Sequence, residues 1–241
     1  MAVGVTAMQG IVARSPLLAA QPQFAGFNSL GGIDVLALRL WLDTRVMLET
    51  PSNVLAGFGD RSYGATLFDL NALQDEYAAE AGSVLELDFY GAGCLLPLSD
   101  DALAQQALST WLPAACPGLG RGGVRPHVVD AAAFRARGAV TSFSPGSAAH
   151  MPDVQSVLPG VFFAGDWVRL PPGMAQGLSQ EKAYVTGLEA GNAAARRCGL
   201  APVVRVLGVE PDEPHVDAAK SAVRAARALL PRLPGRPLVG W

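Results

Sequence analysis

The sequence predicts an α/β protein of two parts, a mixed α+β region over about 15–144 and a strand-and-helix segment over 145–200. Three observations predict it. Ile33 to Asp43 and Ser83 to Tyr90 read as strands, the second alternating Val84, Glu86 and Asp88 against Leu85, Leu87 and Phe89. Val161 to Ala164 is a short, wholly apolar run entered through Pro159-Gly160 and ended by Gly165-Asp166, which suits a parallel strand covered on both faces. A helix from about Ser179 to Cys198 follows, with Arg196 and Arg197 in its last turn and Gly199 as its left-handed stop.

Composition removes several function classes. Half of the 241 residues are hydrophobic (50%) and 16% are charged, which is unlike a disordered polymer. The formal charge of −3 leaves no basic surplus for a phosphate backbone, so nucleic acid is not an expected partner. Asp34, Arg39, Glu86 and Asp88 interrupt the apolar stretches before any reaches the ~18 residues of a membrane helix. Cys94, Cys116 and Cys198 are dispersed and read as small buried residues of an intracellular protein. His127, His150 and His215 have no metal-ligand spacing, so no metal site is expected.

The elements follow in chain order. Ala2 to Val5 reads as the end of a buried strand that turns into a helix with Met8, Ile11 and Val12 on one face, neither a signal nor a transit peptide. Pro16 and Pro22 break that helix. Asn53 to Phe58 is a second strand, and the latter part of Tyr63 to Tyr77 is helical. Ser99-Asp100-Asp101 caps a helix whose apolar stripe is Leu103, Ala107, Leu108, Trp111 and Leu112. Pro117 to Gly123 is a glycine-rich connector. His127 to Val129 and Ala139 to Phe143 are expected as two short strands separated by Phe134 and an arginine-rich turn. Asp212 to Pro231 holds an amphipathic helix, read as a solvated surface element.

The informative stretch is Gly160 to Asn192. It reads as a buried strand, a glycine, an acid at the strand's carboxyl end, a loop and a helix, the place where open α/β sheets bind ligands. Gly165 would let a ligand approach the backbone, Asp166 can accept hydrogen bonds from hydroxyls, and the helix start at Leu178 to Glu181 offers N–H groups. Ala183, Gly187, Gly191 and Ala194 form a row of small residues suited to close packing on a sheet.

FFAGDW together with SQEKAYVTG resembles the C-terminal flavin-binding signature of the FAD-dependent amine oxidase superfamily, closest to carotenoid desaturases and isomerases of the phytoene desaturase type. The resemblance is specific over Gly160 to Asn192, extends less specifically over Ala2 to Pro159, and is absent beyond Pro202. It implies FAD as cofactor, held by Gly165, Asp166, Trp167, Leu178, Ser179, Gln180 and Glu181, with Asp166 on the ribityl or pyrophosphate region and the backbone near Ser179 and Gln180 at the isoalloxazine edge. Lys182 stands where the family carries a glycine.

In fold terms the resemblance implies a partial FAD/NAD(P)-binding (Rossmann-like) domain plus a mixed α+β substrate domain. Residues 1–14 would be the end of an FAD-domain strand and its helix, 15–144 the substrate region, 145–200 the C-terminal FAD segment and 201–241 an extension. The glycine-rich turn G-x-G-x-x-G that binds the ADP half in this family is missing, since G-L-G-R-G-G at Gly118–Gly123 has the wrong spacing. The chain is therefore expected to lack the N-terminal dinucleotide-binding half, with that half or a second copy as partner.

Lys182 and Lys220 are the only lysines, so the 15–144 region lacks the lysine of amine-oxidising relatives, and Leu178 and Ser179 stand where those relatives carry an aromatic. Both differences suit an apolar substrate, a carotenoid in the closest branch, with hydride transfer to flavin. A plastid or membrane-associated location would accompany that substrate, and peripheral membrane contact stays open. A protoporphyrinogen-oxidase-like enzyme and a non-catalytic remnant serving as a binding module are the alternatives. No catalytic side chain is assigned.

Overall fold

The structure is a computed structural model that describes residues 1–58, 63–116, 119, 125–171, 174, 176, 177 and 179–229. The chain opens with helices α1 (Val5–Ala13), α2 (Pro16–Ala19) and α3 (Pro22–Ala25), then a 3₁₀ turn at Gly26–Ser29. Strands β1 (Gly31–Leu42), β2 (Ser52–Leu55) and β3 (Gly64–Asp69) lead through α4 (Leu70–Leu73) to β4 (Val84–Tyr90). Next come α5 (Asp100–Gln106), a π turn at Ala107–Trp111, α6 (Leu112–Ala115) and β5 (Val128–Ser142). The last elements are α7 (Gln180–Arg197) and α8 (Pro214–Leu229). Two units form, one from Gly31–Ser142 and one from Met1–Leu30 with Phe143–Trp241. Residues 15–30, expected with the substrate region, belong to the latter unit, where Leu18, Phe24 and Phe27 are core.

In the 31–142 unit all five strands pair antiparallel in the order β2-β3-β4-β1-β5. Because a strand's side chains alternate faces, Leu36, Leu38, Leu40 and Leu42 point to one side, where they meet Leu85, Leu87 and Phe89 in register. The stripe Leu103, Ala107, Trp111 and Leu112 belongs to that same core. Ser99 starts α5 as expected, its hydroxyl accepting from Ala102 N–H at 3.2 Å. On the other face Arg39 lies opposite Glu86, donating from Nε at 2.8 Å and Nη2 at 2.5 Å, and its third arm reaches the Tyr77 hydroxyl at 2.9 Å. Asp88 shares this face; burial and the charge of Glu86 push its carboxyl pKa up against the pull of Arg39.

The two short strands expected near His127 and Ala139 are one strand, β5. Gly138 does not end it, because Arg137, Gly138 and Ala139 together oppose the single residue Asp34 in a bulge. Asp34 Oδ1 accepts from Gly138 N–H at 2.8 Å, and Gly138 adopts φ +54°. A methyl on Gly32 would lie 2.3 Å from the Gly138 carbonyl oxygen, so the glycine pair permits the close crossing. Arg135, expected in a turn, is instead held in the strand by Asp100 at 2.7 Å and the Leu98 carbonyl at 2.6 Å. That contact lowers the Asp100 pKa.

In the other unit α1 buries Val5, Met8 and Val12 against Phe24, Phe27, Phe163 and Trp167. The rings meet edge to face, Phe27 lying 5.5 Å from Phe163 and 5.2 Å from Trp167. The expected strand at Val161–Ala164 is reduced to bridges: Ala164 pairs parallel with Ala2, and Phe162 antiparallel with Gln155. The cysteines are not buried; Cys94 and Cys198 are exposed and Cys116 is intermediate. Among the described residues no helix is long and apolar enough to cross a membrane.

Candidate functional site

Two chain segments run side by side into one place. Ala2-Val3 and Ala164 are bridged in parallel, and beyond their carboxyl ends lie Gly4 and Gly165-Asp166. Gly4 is the N-cap of α1 and makes no side-chain cap. An open depression of about 530 Å³ forms there, lined by both segments and by Ala183, Tyr184, Gly187 and Leu188 of α7. Methyls built on Gly4 and Gly187 would meet nothing within 4 Å, so the lining leaves room for a close approach. A crevice outside the carboxyl ends of parallel segments is where α/β proteins hold ligands.

Gly165 is fixed rather than loose. Its φ of +142° favours glycine, and a methyl there would lie 2.7 Å from Trp167 Nε1. The Thr186 hydroxyl, wholly buried, accepts from Gly165 N–H at 2.9 Å. Its single proton is shared between the Gly165 carbonyl at 3.1 Å and the Ala183 carbonyl at 2.9 Å. Trp167 is likewise wholly buried, and its indole N–H donates to the Val3 carbonyl at 2.8 Å, tying the two segments together. Asp166, half-buried at the edge, is the acid these contacts present to the depression.

The sequence-predicted residues therefore separate. Gly165, Asp166 and Trp167 line the depression. Ser179 is instead the N-cap of α7, accepting from Lys182 N–H at 3.0 Å; Gln180 and Glu181 are its exposed first turn, with Glu181 facing a recess of about 160 Å³ near Leu207–Val209. Leu178 and most of the Gly118–Gly123 run lie outside the described residues.

The small-residue row also differs from expectation. Gly187 and Gly191 face open space, and the buried polar face of α7 is Lys182, Thr186 and Asn192. Asn192 earns its burial by pinning the chain at Val203 and Val204 through bonds of 2.8, 2.9 and 3.1 Å. Lys182, 1% exposed, donates to the Gln176 carbonyl at 3.2 Å and sits 5.2 Å over the Phe143 ring. Burial pushes its pKa down, opposed by the charge of Asp166.

Sequence reasoning missed Thr186, Gly4 and the inward course of Lys182. One signal was present: Lys182 and Thr186 are four apart, so they share a helix face. Among the described residues no group of three His, Cys, Asp or Glu side chains gathers to hold a metal. As a donor set, one carboxylate beside small apolar residues and a helix N-terminus suits a hydroxylated chain carrying an anionic end. The residues present fit the ribityl side of a flavin in that respect.

No protein-family model matches the chain, and no curated protein matches it in sequence. It is similar in structure to a solved protein described as "Putative protoporphyrinogen oxidase from Exiguobacterium sp. 255-15", with a TM-score of 0.50 and 19% identity, over 71% of this chain and 36% of that one. An oxidoreductase from Methanosarcina mazei is matched at a TM-score of 0.42 and 15% identity, over 75% of this chain and 39% of that one. The chain thus spans little more than a third of the length of these proteins, and its likeness to the Exiguobacterium protein is one of fold.

Proposed function

We propose that the chain is part of an FAD-dependent oxidoreductase of the amine oxidase superfamily, with the depression at Gly165 and Asp166 taking the ribityl side of the flavin. The observation that carries this reading is the crevice beyond the parallel bridge of Ala2 and Ala164, with Asp166 at its edge. When bound, a flavin supplies an acceptor for hydride. The chain's own residues bind and orient. Asp166 accepts hydrogen bonds from ligand hydroxyls, Thr186 holds the Gly165 backbone in place for it, and the N–H groups that open α1 face the anionic end. The substrate class we favour is apolar and polyene-like, as the resemblance to carotenoid desaturases and isomerases implies. The fold likeness to the Exiguobacterium protein supports a second reading, an oxidase of protoporphyrinogen type.

Titration of the full chain with FMN, FAD and ADP, read by flavin fluorescence and by calorimetry, tests the proposal. FMN and FAD should bind with similar, modest affinity and ADP not at all. Asp166→Ala should weaken flavin binding by about fivefold, the worth of one hydrogen bond of ~1 kcal/mol. Asp153→Ala, an exposed acid paired with Arg169 outside the depression, should leave binding unchanged. No flavin binding at any concentration, or equal binding by the Asp166 variant, overturns it. Quenching of tryptophan emission by a polyene but not by a porphyrin separates the two substrate readings.

A further inference from the structure

Among the described residues, helix α8 is exposed along nearly its whole length. From Pro214 to Ala228 every residue except Val216 is exposed, and Val223 stands 54% exposed. At 100° per residue Val216, Ala219, Val223 and Ala226 fall on one stripe, and Lys220, Arg224 and Arg227 fall together along one flank of it. The charge is as uneven as the apolarity. After Asp217 the sequence carries no acid, yet it holds Lys220, Arg224, Arg227, Arg232 and Arg236 in a chain whose overall charge is −3. Asp212 pairs with Lys220, and Glu213 and Asp217 lie at the start of the helix, so the unbalanced positive charge lies toward its end. Among the described residues no acid pairs with Arg224 or Arg227.

We propose that α8 docks the protein on an anionic lipid surface, lying in the plane of the headgroups. The charge complementarity selects that occupant. A modest apolar stripe of valines and alanines enters the headgroup boundary, while arginines along one flank extend their stems over it and place their guanidinium groups on lipid phosphates. Alanine and valine give little insertion energy alone, so the binding must depend on lipid charge. The inference does not depend on the flavin reading.

Sedimentation of the full chain with vesicles tests it. Binding should occur with about 30% phosphatidylserine in phosphatidylcholine and not with phosphatidylcholine alone, and it should fall away at high salt. R224Q/R227Q should bind about 25-fold more weakly, at roughly fivefold per arginine. R196Q/R197Q, which removes the same charge from the end of α7, should bind as the wild type does. Neither pair is buried, so folding is not at stake. The proposal is overturned by absent binding, by binding indifferent to lipid charge, or by equal losses in the two double variants. A lipid-independent dimer that Val223→Ser abolishes would likewise overturn it, in favour of a second copy on the stripe.

Discussion

Thr186→Val replaces a hydroxyl with a methyl of nearly the same size, so packing is kept and only the hydrogen bonds are lost. The Gly165 N–H, accepted at 2.9 Å, then has no partner there, and the carbonyls of Gly165 and Ala183 lose theirs. A half-buried amide left unmet costs ~1–2 kcal/mol, the lower part of the range because water retains partial access. For a chain of this length that corresponds to a fall in Tm of ~2–8 °C. The local effect is more diagnostic than the global one. Exchange of the Gly165 amide with solvent should quicken about tenfold relative to wild type for ~1.4 kcal/mol, measured under conditions where the rest of unit protection is unchanged. Thr186→Ser keeps the hydroxyl and loses a buried methyl, at ~1 kcal/mol of stability, yet should keep Gly165 protected. If the valine variant retained protection at Gly165, or the serine variant lost it, Thr186 would not be what fixes this backbone.

Three further outcomes are expected. Asp88→Asn should raise the midpoint of thermal unfolding at pH 7 by ~1–2 °C, because burial and Glu86 disfavour the ionised carboxylate. A raised carboxyl pKa means the native state binds the proton more tightly, so this gain should shrink to nothing below about pH 4, followed by calorimetry across pH. Lys182→Met removes an ammonium whose pKa burial lowers; below that lowered pKa the wild type carries the full cost of the buried charge. Stability of the wild type should therefore rise as pH passes through the folded pKa toward ~10.4, and the variant, compared by urea unfolding, should lack that rise. Ser99→Ala removes the cap on Ala102 N–H and should cost ~1 kcal/mol, seen as a lower urea midpoint with unchanged m.

Much of the 31–142 unit was legible because period-two alternation separates the two faces of a strand. The alternation of Ser83 to Tyr90 marked Leu85, Leu87 and Phe89 as one face, whereas their pairing with Leu36, Leu38 and Leu40 was supplied by the fold. Reading β5 as two strands failed because glycine and arginine resemble a turn locally, whereas a bulge opposite Asp34 depends on a residue more than a hundred positions away. The row Ala183, Gly187, Gly191 failed for a related reason. Small side chains permit close packing but do not compel it, and buried hydrogen bonds of Thr186 and Asn192 set the helix's rotation instead.

At the site the sequence by itself determined the neighbourhood: an acid after a glycine at the end of an apolar run, followed by a capped helix. The depression was decided by tertiary structure alone, since it needs Ala2 to lie beside Ala164, Trp167 to reach the Val3 carbonyl and Thr186 to clip Gly165. Such pairings join residues 21 to 164 positions apart. Local propensity and periodicity extend over a few turns of chain, so contacts across those separations are fixed only when the whole core is packed.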